Sequence, residues 1–255
     1  MTDTVRIDQA ACAEVMRAAV DKVIDTQQEN ITAAAELVAA AILDDGVIQM
    51  FGTGHSRTFA QEVVGRAGGL IPANALAVKD LVMYGDTPPS EILDPHLERD
   101  PALAARILAL CDVRPPDVFI IGSNSGGNGT VVEFARLVKE RGHRVVAVTS
   151  LDHSRRITSR HPSGLRLFEL ADVVIDNGGV LGDAALQLPS GSRIGATSSL
   201  TSVLIAQLLV AEVCGLLLRR QADVPVFVSA NVPGGDEHNE RVFAHYAGRV
   251  RLGEP

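Results

Sequence analysis

DVFIIGSNSGGNGT, residues 117–130, joins a short apolar run of aromatic and β-branched residues to a loop of glycines and hydroxyls. The run is too short for a buried helix, and Pro115-Pro116 stops whatever precedes it, so it reads as a buried strand. From about Val131 to Arg141 the chain is free of breakers until Gly142, which reads as a helix with its closing glycine. A strand, a glycine-rich turn and a helix in that order make the repeating unit of a parallel α/β sheet.

The same unit recurs on both sides. Upstream, residues 8–44 read as helix, with apolar positions at helical spacing in Ile31, Ala34, Ala35, Val38, Ala41 and Ile42, and Gly46 closes it. VIQMFG follows as a strand, GTGHS as a loop, residues 57–67 as a helix and LIPANALAV as a second strand. Residues 84–101 hold five of the loop signals, Gly85, Pro88, Pro89, Pro95 and Pro101, and ALAARILAL is a helix after them. Downstream come the strand RVVAVTS, the polar loop LDHSRRITSRHPSG, the strand ADVVIDN, the turn GGVLGD and a long apolar helix over 197–219. VPVFVS is an edge strand or an extended segment, and NVPGGDEHNE leads into a short last helix. The expectation is a doubly wound, mainly parallel sheet of five strands in a three-layer αβα sandwich. Residues 1–45 form a helical segment that packs on the domain and on a dimer partner, and 46–255 form the domain itself.

Composition narrows the function. Hydrophobic residues make up 46% of the 255, yet aromatics only 4%, which is the aliphatic core of a buried parallel sheet. A formal net charge of -8 argues against a nucleic-acid groove or an acidic membrane surface. Cys12, Cys111 and Cys214 are widely spaced without a CxxC and read as reduced thiols. The opening MTDTVRIDQAAC lacks the basic and apolar regions of a signal peptide, so a cytoplasmic protein is expected. Leu200–Leu218 is apolar enough to suggest a membrane span, but Gln207 and Glu212 interrupt it, which favours a buried or interface helix.

In such sheets ligands bind beyond the carboxyl ends of the strands, where these loops fall. In GSNSGGNGT, glycines let backbone N–H groups turn toward an anion, and Ser123, Ser125, Thr130 and Asn128 add side-chain donors. No Lys follows the glycines, so this is not a nucleoside-triphosphate loop; a sugar monophosphate fits, and so does a plain helix cap. GTGHSRT has Arg57 where a dinucleotide loop needs its third glycine, and no acidic residue ends the next strand. It serves better as a second wall of one pocket, with Gly54, His55 and Ser56 facing ligand. There is no HxH, HExxH or cysteine cluster and no GxSxG, so neither a metal, a cofactor nor a serine nucleophile is expected.

GTGHS, SNSG and the hydroxyl cluster GATSSLTS together resemble the sugar-isomerase (SIS) family of phosphosugar isomerases and binding proteins. RAGGLIP, SNSGGN, the SLDHS to SRHPSG loop, DVVIDN…GD and GGDEHN resemble the stand-alone, UPF0309-like bacterial members. The resemblance runs over most of the chain and implies a flavodoxin-like sheet and a sugar-phosphate ligand. The family's phosphate loop reads Ser-x-Ser-Gly-x-Thr. Ser123, Ser125 and Gly126 match it, with Asn124 between the serines, but Asn128 stands at the Thr position. The third element maps onto Thr197, Ser198 and Ser199, which equally suit simple capping.

For acid–base chemistry the resemblance implies a glutamate near the first wall, which falls on Glu62, six residues after Ser56; a solvated helix face is the plainer alternative. Glu98 in the Pro-rich loop is the second choice. His238, among Asp236, Glu237 and Glu240, suits ring opening or a proton shuttle. Asp183 binds a sugar hydroxyl or caps a turn. Arg155, Arg156, Arg160, His161 and Arg166 are a solvated face or a substrate-attracting rim. The expected ligand is a hexose or amino-sugar phosphate. The expected reaction is isomerisation by carboxylate proton abstraction, or, from the same intermediate, elimination of the dehydratase or etherase kind on an N-acetylamino sugar phosphate. A non-catalytic sensor is the rival; relatives of that kind carry a DNA-binding domain. A homodimer or dimer of dimers is expected from the surplus of apolar helix face.

Overall fold

The computed structural model describes residues 6–251. Its sheet holds β1 (Ile48–Gly52), β2 (Ala73–Leu76), β3 (Val118–Gly122), β4 (Arg144–Thr149) and β5 (Val173–Asp176) in the order β2-β1-β3-β4-β5. Every pairing is parallel, with Gly52 opposite Gly122 at the carboxyl ends of β1 and β3. Every residue of β1 and β3 is buried, so their sequences are almost unbroken apolar runs rather than alternating ones.

Helices α1 (Gln9–Thr26) and α2 (Gln28–Leu43) precede β1, and α3 (Arg57–Val63) links β1 to β2. With α9 (Ser198–Arg219) they cover the face formed by Ile48, Met50, Val118, Ile120, Val146 and Val148. On the other face α4 (Asp80–Met83), α5 (Ala102–Leu108), α6 (Gly129–Glu140), α7 (Leu151–Ser154) and α8 (Leu167–Leu170) connect the remaining strands. There Phe51 stacks on Phe134 at 4.2 Å between ring centroids, beside Phe119, Ile121 and Val145. The chain leaves β1 toward one face and β3 toward the other, so the crevice between these strands is the switch point of the sheet.

Several elements differ from expectation. The first helix breaks at Gln27, whose side chain accepts from the Asp176 amide at 2.9 Å, tying the break to the end of β5. The helix expected to reach residue 67 stops at Val63. The second strand is confined to Ala73–Leu76. VPVFVS touches the sheet only through the bridge from Val226 to Leu70. An antiparallel hairpin, β6 (Ala184–Gln187) with β7 (Arg193–Ala196), follows β5; it is largely exposed and carries no two-fold apolar pattern to announce it. The last helix, α10, spans Gly235–His245.

α9 is long and apolar enough to cross a membrane, yet half of that span is buried against α2, α3 and the sheet. Its polar breaks have partners, Gln207 on Glu62 and Glu212 on Arg219, as in a helix that roofs a sheet. The three cysteines are unpaired; burial pushes the Cys111 thiol up to about 11 and raises Cys214 as well, which leaves both as packing groups.

Candidate functional site

The carboxyl ends of β1, β3, β4 and β5 and the amino end of α9 border a cleft of about 220 Å3 including its open mouth. His55, Ser56, Ser123, Asn124, Asn177, Ser198, Ser199 and Ser202 contribute to its lining. The cleft is thus almost wholly polar, at the place where an open α/β sheet takes ligand.

Its hydroxyls divide by how they are used. The Ser123 hydroxyl accepts from the Gly126 amide at 3.1 Å and closes the turn in which Gly126 adopts a φ of 63°. A side chain on Gly126 would meet the Ser154 hydroxyl at 2.9 Å, so the turn requires glycine twice over. Ser198 is spent on Asp183, which accepts from its amide at 2.9 Å and its hydroxyl at 2.8 Å, so Asp183 caps α9 and anchors the hairpin there. Thr197 is buried with its hydroxyl unpaired. By contrast, the hydroxyls of Ser56, Ser125, Ser199 and Ser202 are joined to no partner in the hydrogen bonds of the described residues. They leave donors in hand for a ligand.

Glu98 spans the two loops that flank the switch point. One carboxylate oxygen accepts from the Thr53 hydroxyl at 2.7 Å and the other from the Asn128 amide at 2.7 Å. Asn128 is oriented in turn by Arg160, which donates to its oxygen at 2.8 Å. Thr130 donates to the Asp100 carbonyl at 2.7 Å. A Cβ on Gly129 would lie 2.1 Å from the Arg99 carbonyl. Asn128, Gly129 and Thr130 therefore form a seat for the Glu98–Asp100 turn. Of the side chains read from the sequence as phosphate donors, Asn128 holds the Glu98 carboxylate and Thr130 holds the backbone of the turn that carries it.

The other acid–base candidates lie elsewhere. Glu62 is bound to Arg66 and to Gln207 on α9, each at 2.5 Å; neither it nor Glu98 lines the cleft itself, but Glu98 bonds the loops that border it. His238 bonds the Val226 carbonyl at 3.0 Å and Arg241 at 3.2 Å. The Val226–Phe227 segment pairs with Leu70 and Gly68–Gly69, ahead of β2, so His238 stands at the amino end of the sheet, away from the cleft of its own chain. The basic run is split: Arg155 and Arg156 lie on the exposed face, Arg156 and Arg166 form local pairs with Asp152 and Glu169, and Arg160 on Asn128 with His161 on Glu133 at 2.9 Å clasp the loop to the glycine turn and α6.

His153, Asn177, Ser202 and Thr53 were not singled out by sequence reasoning. The available signal for Thr53 and Asn177 was their position directly after a strand. Asn177 donates to Asn124 at 3.1 Å, and the Asn124 amide lies 3.5 Å from the His153 ring. Burial lowers the His153 pKa, opposed by the nearby carboxylates of Asp183 and Asp152, so the ring is neutral at pH 7. A depressed value means the fold is unaffected by this ring above the ordinary histidine range and loses stability as pH falls below it. An NMR titration of the His153 imidazole is expected to give a midpoint under 6.5. A midpoint at or above that value would contradict the burial argument. Among the described residues no three His, Cys, Asp or Glu side chains gather to hold a metal ion.

Known proteins of similar sequence and shape bear on this arrangement. Residues 13–150 match the sequence profile of the SIS domain. A UPF0309 protein of Halalkalibacterium halodurans is 39% identical over 226 residues, 88% of this chain and 92% of that one. Among solved structures, a phosphoheptose isomerase from Francisella tularensis superposes with a TM-score of 0.55 at 14% identity, over 80% of this chain and 95% of that one. The phosphoheptose isomerase GmhA from Neisseria gonorrhoeae gives 0.53 at 19% identity with the same coverage. At these identities the solved structures speak for the fold.

Proposed function

The chain belongs to the SIS domain family, and from this we propose that it is an enzyme of isomerase type acting on a hexose or amino-sugar phosphate in the cytoplasm. The observation that carries the proposal is the set of unspent hydroxyls at the strand-end cleft, together with a carboxylate, Glu98, anchored between the loops after β1 and β3 that border it. The turn over Ser123–Gly126 and the hydroxyls of Ser56, Ser125, Ser199 and Ser202 hold the phosphate. Glu98, held at both oxygens, removes the proton next to the sugar carbonyl. Two neighbours that share the fold carry the name phosphoheptose isomerase, which agrees with this substrate class.

Proton transfer between C1 and C2 completes an isomerisation. Loss of a C3 substituent from the same intermediate gives an elimination, so the product rather than the first step separates the two. A panel of sugar phosphates incubated with the protein in heavy water and followed by NMR tests the proposal. Solvent deuterium should enter at C2 of the true substrate. Tight binding without exchange from any of them would leave a sensor. The proposal includes a homodimer or dimer of dimers, in which the exposed Ile24, Leu200 and Leu218 are covered and His238 has access to a neighbour's cleft.

Ser125→Ala is expected to weaken phosphosugar binding by roughly 1–3 kcal/mol, the cost of leaving a charged ligand one donor short. Unphosphorylated sugar should bind poorly to the native protein. Calorimetry showing equal affinity for sugar and sugar phosphate would refute the phosphate assignment.

A further inference from the structure

The loops after β3, β4 and β5 meet in a closed circuit of hydrogen bonds beside the strand-end cleft. The His153 amide donates to the Ser150 hydroxyl at 3.1 Å, and that hydroxyl donates to the Gly179 carbonyl at 2.6 Å. The Gly179 amide donates to Asn177 Oδ1 at 2.9 Å, and Asn177 Nδ2 donates to Asn124 Oδ1 at 3.1 Å. Asn124 Nδ2 then lies 3.5 Å from His153 Nδ1, which closes the circuit. Asn124 and Asn177 line the cleft; the His153 ring stands behind them, outside the lining.

The direction of the circuit is fixed by backbone. A peptide N–H only donates, so Asn177 gives its oxygen to Gly179 and its nitrogen to Asn124. Asn124 then gives its oxygen to Asn177 and keeps its nitrogen for the imidazole. That last place suits only an acceptor, so Nδ1 carries the lone pair and Nε2 the proton. The oxygens are closely packed as well. A Cβ on Gly179 would come within 3.0 Å of Asn177 Oδ1 and 3.1 Å of Asn124 Oδ1.

We propose that His153 is a positioning residue for the cleft, which as an acceptor at Nδ1 sets the way the Asn124 amide faces a ligand. A ring protonated at both nitrogens would turn Nδ1–H against the Asn124 N–H. Asn124 cannot turn over in answer without setting its nitrogen against that of Asn177. Asp152 on α7 and Asp183 ahead of β6 face the ring and favour its charged form; Asp152 is paired with Arg156 and Asp183 is bonded by Ser198. Burial outweighs both carboxylates and keeps the ring neutral at pH 7. As to what the cleft binds, the proposal rests on the sugar-phosphate reading.

The test has two arms, and the first needs no ligand. In NMR of the isotope-labelled full chain above the ordinary histidine range, His153 should show a bare Nδ1 and a protonated Nε2. The Asn124 side-chain amide signal should move with the midpoint of that ring. The opposite tautomer, or an Asn124 amide indifferent to the titration, would overturn the proposal. The second arm follows binding of glucose 6-phosphate by calorimetry between about pH 5 and 8. His153→Asn keeps an acceptor near the place of Nδ1 that does not titrate. Native protein should lose affinity on acidification more steeply than His153→Asn, since the ligand's own phosphate titrates alike in both. Above the histidine range His153→Asn should bind about as native protein does. His153→Leu should bind at least about threefold more weakly, the scale of one hydrogen bond. Parallel pH profiles, full affinity in His153→Leu, or equal weakness in both variants would overturn the proposal. Failure of native protein to bind glucose 6-phosphate would count against the sugar-phosphate reading, and the first arm alone would then decide on His153. If His153→Leu does not fold, the native titration and His153→Asn decide.

Discussion

Glu98→Gln is expected to cut exchange of the phosphosugar C2 proton by at least about a hundredfold, the scale on which loss of a general base acts. Binding of the phosphosugar should survive, because the Ser123–Gly126 turn does not depend on the carboxylate. The amide can still accept from Thr53 through its oxygen, so the turn keeps one of its two anchors. Glu62→Gln is the informative control. Glu62 is engaged by Arg66, just past the end of α3, and by Gln207 on α9, and its loss should change exchange by no more than about threefold. The reverse pattern, silence from Glu98→Gln and collapse with Glu62→Gln, would move the base to the first helix and require a neighbouring subunit to bring it near substrate.

The largest expected effect on stability lies at the other end of the sheet. Asp117 is 2% exposed, and its carboxylate collects four donors: the Val47 amide at 2.9 Å, Gln49 at 3.0 Å, the Arg114 amide at 3.2 Å and Arg249 at 3.2 Å. This one side chain joins the entry of β1, the entry of β3 and the end of the chain. Asp117→Ala leaves the buried Arg249 guanidinium facing nothing on that side and orphans the Val47 amide. The expected loss is about 3–5 kcal/mol in urea unfolding, as for breaking a buried pair by one partner. Asp117→Asn should lose less, since it keeps one oxygen. A loss under about 1 kcal/mol for the alanine variant would show that water replaces the carboxylate there.

The sheet was legible because β1, β3 and β4 are buried on both faces. Such strands must be written as apolar runs, and the loops that end them must carry the glycines. The hairpin after β5 was not legible, because its strands face solvent and hold together partly through Arg193, which donates to the Ala184 and Ala185 carbonyls. The walls of the site could be read from the strand ends; the acid–base group could not be ranked. Spacing along a helix gives a distance from the turn but not a direction. Phe59, Ala60 and Val63 take the buried side of α3 and leave Glu62 to pair with Arg66 one turn on. Glu98 has only its place in the Pro-rich loop as a local signal, since its partners Thr53 and Asn128 lie 45 and 30 residues away. The same holds for Asn177, whose bond to Asn124 spans 53 residues.

The seat formed by Asn128, Gly129 and Thr130 means that the Glu98 turn is not a portable part. Moved into a chain with threonine in place of Asn128, the Glu98 turn would arrive without the amide that its carboxylate needs. A graft of residues 97–101 alone should therefore give a folded but misaligned protein. An exchange of 97–101 together with 128–130 and Arg160 would carry the interlock whole. Anyone recombining such chains should move these two distant stretches together.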